Sequence, residues 1–138
     1  MPKSVLVCMS GGVDSTVTAL LLQQQGYAVE GITFWLWSSL EGLGAREANQ
    51  CCSLDSAGLA ARELSIPHNT VDASALFRDV VVNDFVARLR KGETPNPCGR
   101  CNRLVRFELA LAHARQHGFD YIATGHHARV ASDEEGYC

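Results

Sequence analysis

Two rhythms of apolar and polar positions alternate along the chain. Val5 to Met9 (VLVCM) is an unbroken apolar run, the length of a buried parallel strand. Ser10, Gly11 and Gly12 make a tight turn. Helical spacing follows, with Val17, Leu20, Leu21 and Leu22 as the expected apolar face of a helix that stops at Gly26. Residues 27–37 (YAVEGITFWLW) are rich in β-branched and aromatic side chains and predict a second strand. Trp35 and Trp37 alternate within it, so they share one face, and core packing is expected for both. The glycines, serines and mixed charge of 38–50 read as a surface loop.

A second helix is predicted over 54–64, with Ser53 or Asp55 as its cap. Pro67 breaks that pattern, and 68–71 is a short strand. Leu76, Val80, Val81, Phe85 and Leu89 mark one face of a third helix over 74–90, ended by Gly92. The proline-bearing loop 93–100 leads to a fourth helix over 102–117. Its stripe is Leu104, Phe107, Leu111 and Ala114, and Gly118 is its stop. A strand at 121–124 runs into Gly125-His126-His127. A further strand begins at Arg129 to Ala131, with a hairpin turn at 132–136. The order β-α-β-α-β-α-α-β predicts an α/β fold, a Rossmann-like parallel sheet with helices on both faces. Ligands of such sheets sit beyond the carboxyl ends of the strands. Here those ends are Ser10–Ser15, Phe34–Trp37, Asp72 and Thr124–His127, which are expected to converge on one pocket.

Composition narrows the class. A chain of 138 residues, 46% hydrophobic, is one domain by length. No apolar run approaches the ~20 residues needed to span a bilayer, and no signal peptide is legible after Lys3, so no membrane association is expected. The six cysteines are placed for thiol or metal chemistry in a reducing compartment rather than as a disulfide scaffold, and a cytoplasmic location is the default. Net charge is −3, yet Arg88, Arg90, Lys91, Arg100, Arg103 and Arg106 make a local basic zone in which Glu93 is the only acid. By itself such a zone reads as a solvated helix face.

The strand–glycine turn–helix unit at Val5–Thr16 is a phosphate-binding arrangement, because the first free N–H groups of a helix point at an anion. It is not a Walker loop, since Val13-Asp14-Ser15 stands where a lysine is required. SGGVDS resembles the PP-loop of ATP pyrophosphatases. Backbone amides from Gly11 to Ser15 would hold phosphate, with the Ser10 and Ser15 hydroxyls adding hydrogen bonds. Asp14 fits either a Mg²⁺ ligand or a cap of the first helix.

The second constellation is Thr94-Pro-Asn-Pro-Cys-Gly-Arg-Cys-Asn102. Cys98 and Cys101 are three apart at a helix start, where the helix dipole, Arg100 and Arg103 favour thiolates, the form of a nucleophile or metal ligand. One C-x-x-C is half of a four-ligand metal site, and packing is the expectation for Cys51 and Cys52. Two adjacent histidines, His126 and His127, could serve as acid/base groups or ligands, whereas His68, His113 and His117 read as surface or helix-end residues.

Taken together, MSGGVDST, Cys51-Cys52-Ser53, TPNPCGRCN with Phe107, and ATGHHAR resemble the tRNA-specific 2-thiouridylase family, in order from about Lys3 to Val130. That resemblance implies ATP-dependent adenylation of the C2 oxygen of the wobble uridine of tRNA, followed by sulfur delivery from a cysteine persulfide. It implies ATP contacts at Cys8, Met9, Ser10, Gly11, Gly12, Val13, Asp14, Ser15, Phe34 and Gly125, base contacts at Asn96, Pro97 and Cys98, and Cys101 as first catalytic cysteine, with Asp14 beside it in the chemistry. Arg100, Arg103, Arg106 and His126 become candidate RNA-backbone contacts. Partners would be tRNA and a sulfur-donor protein, a cysteine desulfurase or sulfur-relay protein.

Many members of that family have Asp at the place of Cys98, and the C-x-x-C here adds the hypothesis of an iron–sulfur cluster held by Cys98, Cys101 and a later cysteine. His127 stands where the family usually has tyrosine and is not expected to be essential. Residues 1–138 correspond to an N-terminal PP-loop ATPase domain that is expected to be truncated. The family's central and C-terminal domains are expected to lie outside these residues, and its second catalytic cysteine is expected beyond Cys138. Two alternatives remain, another AMP-forming PP-loop ligase or amidotransferase, or a catalytically inert nucleotide-binding fragment.

Overall fold

The apolar run after Lys3 becomes strand β1 (Ser4–Cys8), which is covered on both sides, Val5 and Val7 packing into one core and Leu6 into the other. The computed structural model describes residues 2–37, 54–129, 131–133 and 136–137. The expected loop at 38–50, Cys51, Cys52, Ser53, Val130 and Cys138 lie outside those residues. Strands β2 (Ala28–Trp35), β3 (His68–Asp72) and β4 (Tyr121–Thr124) join β1 in a parallel sheet of order β3-β2-β1-β4. Strand order reverses between β1 and β4, the place where an open α/β sheet leaves a crevice at its carboxyl end.

Helix α1 (Val13–Gln24) and helix α2 (Leu54–Glu63) cover one face. Ala19, Ala57 and Ala61 meet Val5, Val7, Met9 and Val29 there. The other face is covered by two longer helical runs. Helix α3 spans 74–90, made of Ser74–Phe77, a π-helical stretch Arg78–Val82, and Asn83–Arg90. Helix α4 spans 97–117, made of Pro97–Cys101, a second π-helical stretch Asn102–Arg106, and Phe107–His117. Val81, Cys101, Val105, Ala110 and Ala114 pack on Leu6, Ile32 and Phe34. The Rossmann-like α/β fold is as expected, and Gly26, Gly92 and Gly118, all left-handed, follow the helices at their expected stops.

Several expectations need correction. Helix α1 turns Ser15 and Ala19 to the sheet, whereas Val17, Leu20 and Leu21 are exposed, because small residues let the helix sit close over β1. In α3 and α4 the expected stripes hold only in part: Val81 and Ala114 are buried as expected, and other positions are not. Leu76 and Leu89 are exposed and Leu111 sits at the surface, while Val105 and Ala110 are buried. A π turn takes up more residues than an α turn, so a 3.6-residue period cannot be carried through it. Helix α4 also begins at Pro97, inside the expected loop. Trp35 is exposed and Trp37 half-buried, edge-on to Phe77, so neither is a core residue. Residues 129 and 131 are not strand. The hairpin pairs β5 (Ser132–Asp133) with β6 (Gly136–Tyr137) in antiparallel fashion.

A polar clamp holds β4 at the amino end of the sheet, where among the described residues it pairs with β1 alone. Asp120 Oδ2 accepts from Ser4 N at 2.7 Å and from Ser4 Oγ at 3.0 Å, and Lys3 Nζ donates to Tyr121 Oη at 2.7 Å. The Ser4 amide, and then its hydroxyl, hold the Asp120 carboxyl below its ordinary value of 3.8. A depressed carboxyl contributes stability above that value and loses it as pH falls through the folded-state pKa. Asp120→Asn is therefore expected to lower Tm at neutral pH and to shrink the acid-limb loss of stability below about pH 4, read by thermal melts over pH 2–7.

Candidate active site

The turn after β1 is shaped by its glycines. Gly11 is left-handed at φ 81°, and Gly12, extended, is the N-cap of α1. No side chain caps this end, so the first amides of α1 stay available to an anion. Ser15 is buried and its hydroxyl is spent on the loop. Its Oγ donates to Gly12 O at 3.2 Å and accepts from Ser10 N at 3.2 Å. Ser15 is thus an internal brace of the turn, which leaves the backbone amides as the groups there able to meet an anion. Asp14 sits at the second helical position with an exposed carboxylate, 3.4 Å from His127 Nε2. It does not cap the helix.

A second brace reaches the turn from the far edge of the sheet. Thr33 Oγ1 donates to Met9 O at 2.8 Å and must then accept from His68 Nε2, also at 2.8 Å. His68 is half-buried, and burial lowers its pKa, so it is not the surface residue expected. Neither Thr33 nor His68 belongs to a sequence motif. Only strand register brings them together.

Gly125, just after β4, closes the other side. A Cβ there would lie 2.6 Å from Ser15 N and 2.9 Å from Asp14 C. Between them the β1 and β4 ends enclose a cleft of about 180 Å³ lined by Cys8, Ser10, Asp14, Ser15, Arg106, Phe107, Thr124, Gly125 and His126. Burial pushes the Cys8 thiol up to about 11, with the Arg106 charge opposing, so Cys8 is a packed thiol and not a nucleophile.

A larger apolar cleft of about 550 Å³ adjoins it. Leu36, Trp37, Phe77, Val81, Val82, Phe85, Pro97, Cys98, Cys101, Asn102, Arg106 and His126 form its wall. Asn96 Oδ1 caps α4 through Gly99 N at 3.2 Å, and Pro97 takes the first helical position, where its missing N–H costs nothing. One helical turn then carries Cys98, exposed, and Cys101, buried; among the described residues no disulfide joins these two or Cys8. Arg100 points away and fastens this turn to α3, its Nε donating to Val80 O at 2.7 Å and lying 3.4 Å from Asp84 Oδ2.

The two clefts share Arg106 and His126. The strand ends after β1 and β4 converge as expected, and Leu36 and Trp37 reach the second cleft. Two expected participants do not converge. Asp72 Oδ1 accepts from Ser74 N at 2.9 Å at the start of α3 and lines neither cleft, and the Phe34 side chain is buried in the core. Met9 is likewise buried, and Val13 is exposed outside both clefts. Arg103 is exposed on α4.

With this geometry in place, a family model described as the tRNA methyl transferase HUP domain matches residues 3–137. The chain belongs to that family. Relatives include the tRNA-specific 2-thiouridylase MnmA of Desulforamulus reducens, 49% identical over 96% of this chain and 37% of the relative. The MnmA of Magnetococcus marinus is 46% identical over 98% of this chain and 38% of the relative. The chain thus spans little more than a third of the length of these curated relatives. A solved structure described as a predicted subunit of tRNA methyltransferase from Methanocaldococcus jannaschii superposes with TM-score 0.61 at 18% identity, covering 90% of this chain and 53% of that one, a likeness of fold. No helix among the described residues is long and apolar enough to cross a membrane.

Proposed function

We propose that this chain is the ATP-using, cysteine-bearing part of an enzyme that converts the wobble uridine of tRNA to 2-thiouridine. The observation that carries this reading is the adjacency of a PP-loop cleft and a cysteine-lined apolar cleft, joined at Arg106 and His126. Such a pair of clefts lets a base reach an α-phosphate on one side and a thiol on the other. ATP fits the first cleft, where the uncapped amides of α1 meet a glycine-tight wall; contacts from Met9 and Phe34 come from their backbone. Asp14, exposed at the phosphate end, would hold Mg²⁺, which needs one or two carboxylates beside the phosphates. ATP and the metal supply a phosphoryl centre that makes the C2 oxygen of uridine a leaving group.

Asn96, Pro97 and Cys98 border the approach of the target base. Arg103, Arg106 and His126 face the RNA backbone, while Arg100 braces the cysteine turn. Cys101 receives sulfur as a persulfide from a cysteine desulfurase or a sulfur-relay protein in the cytoplasm. A cluster on Cys98 and Cys101 would need further ligands, since no group of three His, Cys, Asp or Glu residues that could hold a metal occurs among the described residues.

Incubating the protein with ATP, Mg²⁺ and unmodified tRNA is expected to release pyrophosphate in a tRNA-dependent manner, and 2-thiouridine should follow when a persulfide donor and a thiol are added. The outer sulfur bonds to C2 as AMP leaves, and the thiol frees it by forming a disulfide with Cys101. Pyrophosphate release that ignores tRNA but responds to a small carboxylate or amide-forming substrate would replace this reading with an amidotransferase.

A further inference from the structure

His126 is held on three sides at the junction of the two clefts. Its Nδ1 lies 2.9 Å from Thr124 Oγ1, its Nε2 lies 3.3 Å from Asn102 Nδ2, and its ring rests against Phe107 at a centroid distance of 5.6 Å. An amide nitrogen can only donate, so Nε2 accepts and the ring proton sits on Nδ1, directed to Thr124. Thr124 lines the nucleotide cleft alone and Asn102 the cysteine cleft alone. The Nε2 lone pair, which accepts from Asn102 here, is therefore directed to the side where the target base would enter, and an incoming N3–H takes the place of the Asn102 amide.

Adenylation of uridine O2 needs such a lone pair. As O2 forms its bond to the α-phosphorus, the α–β anhydride breaks and pyrophosphate leaves with that electron pair. The N3–H electrons become a C2=N3 double bond, and the N3 proton must go to a base. We propose that His126 Nε2 is that base, which rests on the thiolation reading above. The resulting imidazolium later returns its proton to water. Other ionisable groups around the junction are unsuited. Arg106 stays cationic, Cys8 is already protonated, Asp14 lines only the nucleotide cleft beside His127, Cys98 stands exposed at the edge of the cysteine cleft, and Cys101 belongs to the sulfur chemistry. Histidine is also the side chain whose charge changes nearest neutral pH.

The test is single-turnover pyrophosphate release with saturating ATP and unmodified tRNA, with ATP and tRNA affinities measured separately. His126→Ala and His126→Gln are compared at saturating ATP and tRNA, so that a loss of affinity at a residue that faces the RNA and lines both clefts does not enter the rate. Their release rate should fall by roughly 10²–10⁴, the usual worth of a positioned base. Added imidazole should restore part of the rate to His126→Ala and leave the wild type unchanged. A His126→Gln rate equal to wild type, or a loss confined to ATP affinity, overturns the base and makes His126 at most a phosphate ligand. Wild-type protein that releases no tRNA-dependent pyrophosphate overturns the thiolation reading and this base with it.

Discussion

Gly125→Ala is expected to weaken ATP binding by roughly tenfold or more, about 1.4 kcal/mol for each factor of ten. The added Cβ would sit 2.6 Å from Ser15 N and 3.0 Å from Ser15 Cα. These are backbone atoms of the first turn of α1, so no rotamer change relieves the clash. Either the segment after β4 withdraws or α1 is pushed off the end of β1. Both open the cleft and spoil the amide geometry that must hold phosphate. The fold should survive, because β4 stays tied to β1 by four register pairs from Val5↔Tyr121 to Cys8↔Thr124 and by the Ser4–Asp120 clamp. Isothermal titration with ATP and Mg²⁺ measures the affinity, and a thermal melt separates it from unfolding. Affinity within twofold of wild type would mean that the approach of Gly125 to Ser15 does not set the phosphate site.

The site was more legible in sequence than the helices that present it. Gly11, Gly12 and Gly118 act through their own backbone, so local spacing places those turns, whereas the Asn96 cap and the helix start at Pro97 fell inside the expected loop. Phase in the long helices is a different matter. The π-helical stretches at Arg78–Val82 and Asn102–Arg106 lie on neighbouring helices that share one core, with Val81, Cys101 and Val105 buried together. A side-chain pattern offers no sign of an extra residue in a turn, and the expected stripes drifted accordingly. The Thr33–His68 brace was invisible for a related reason. It depends on the register Thr33↔Thr70 and Gly31↔His68 between β2 and β3, which residue types do not encode. Gly31 makes room for it, since a Cβ there would lie 2.6 Å from Met9 Sδ and 2.9 Å from His68 Cδ2. Asp72 was misplaced because a carboxylate at a strand end can serve a ligand or the next helix equally well, and here the Ser74 amide takes it.

Cys101→Ala is expected to abolish 2-thiouridine formation while tRNA-dependent pyrophosphate release continues. Cys98→Ala is expected to retain thiolation. The asymmetry follows from the helical turn. Cys101 is only 6% exposed, packed at the floor of the apolar cleft, whereas Cys98 stands exposed at its edge. A persulfide on Cys101 is shielded from water and from stray thiols, as a transferable sulfur needs to be, and one on Cys98 is not. Removing the Cys101 sulfur truncates a packed side chain and costs roughly 1–3 kcal/mol of stability, so both variants should be compared well below their melting temperatures. Mass spectrometry of the digested tRNA reads thiolation, and labelled ATP reads pyrophosphate. If the two cysteines lose thiolation together, they act as a pair, as ligands of one cluster or partners in one disulfide, and the single-persulfide reading of Cys101 fails. If Cys101→Ala still thiolates, sulfur enters elsewhere, and the apolar cleft serves only to position the base.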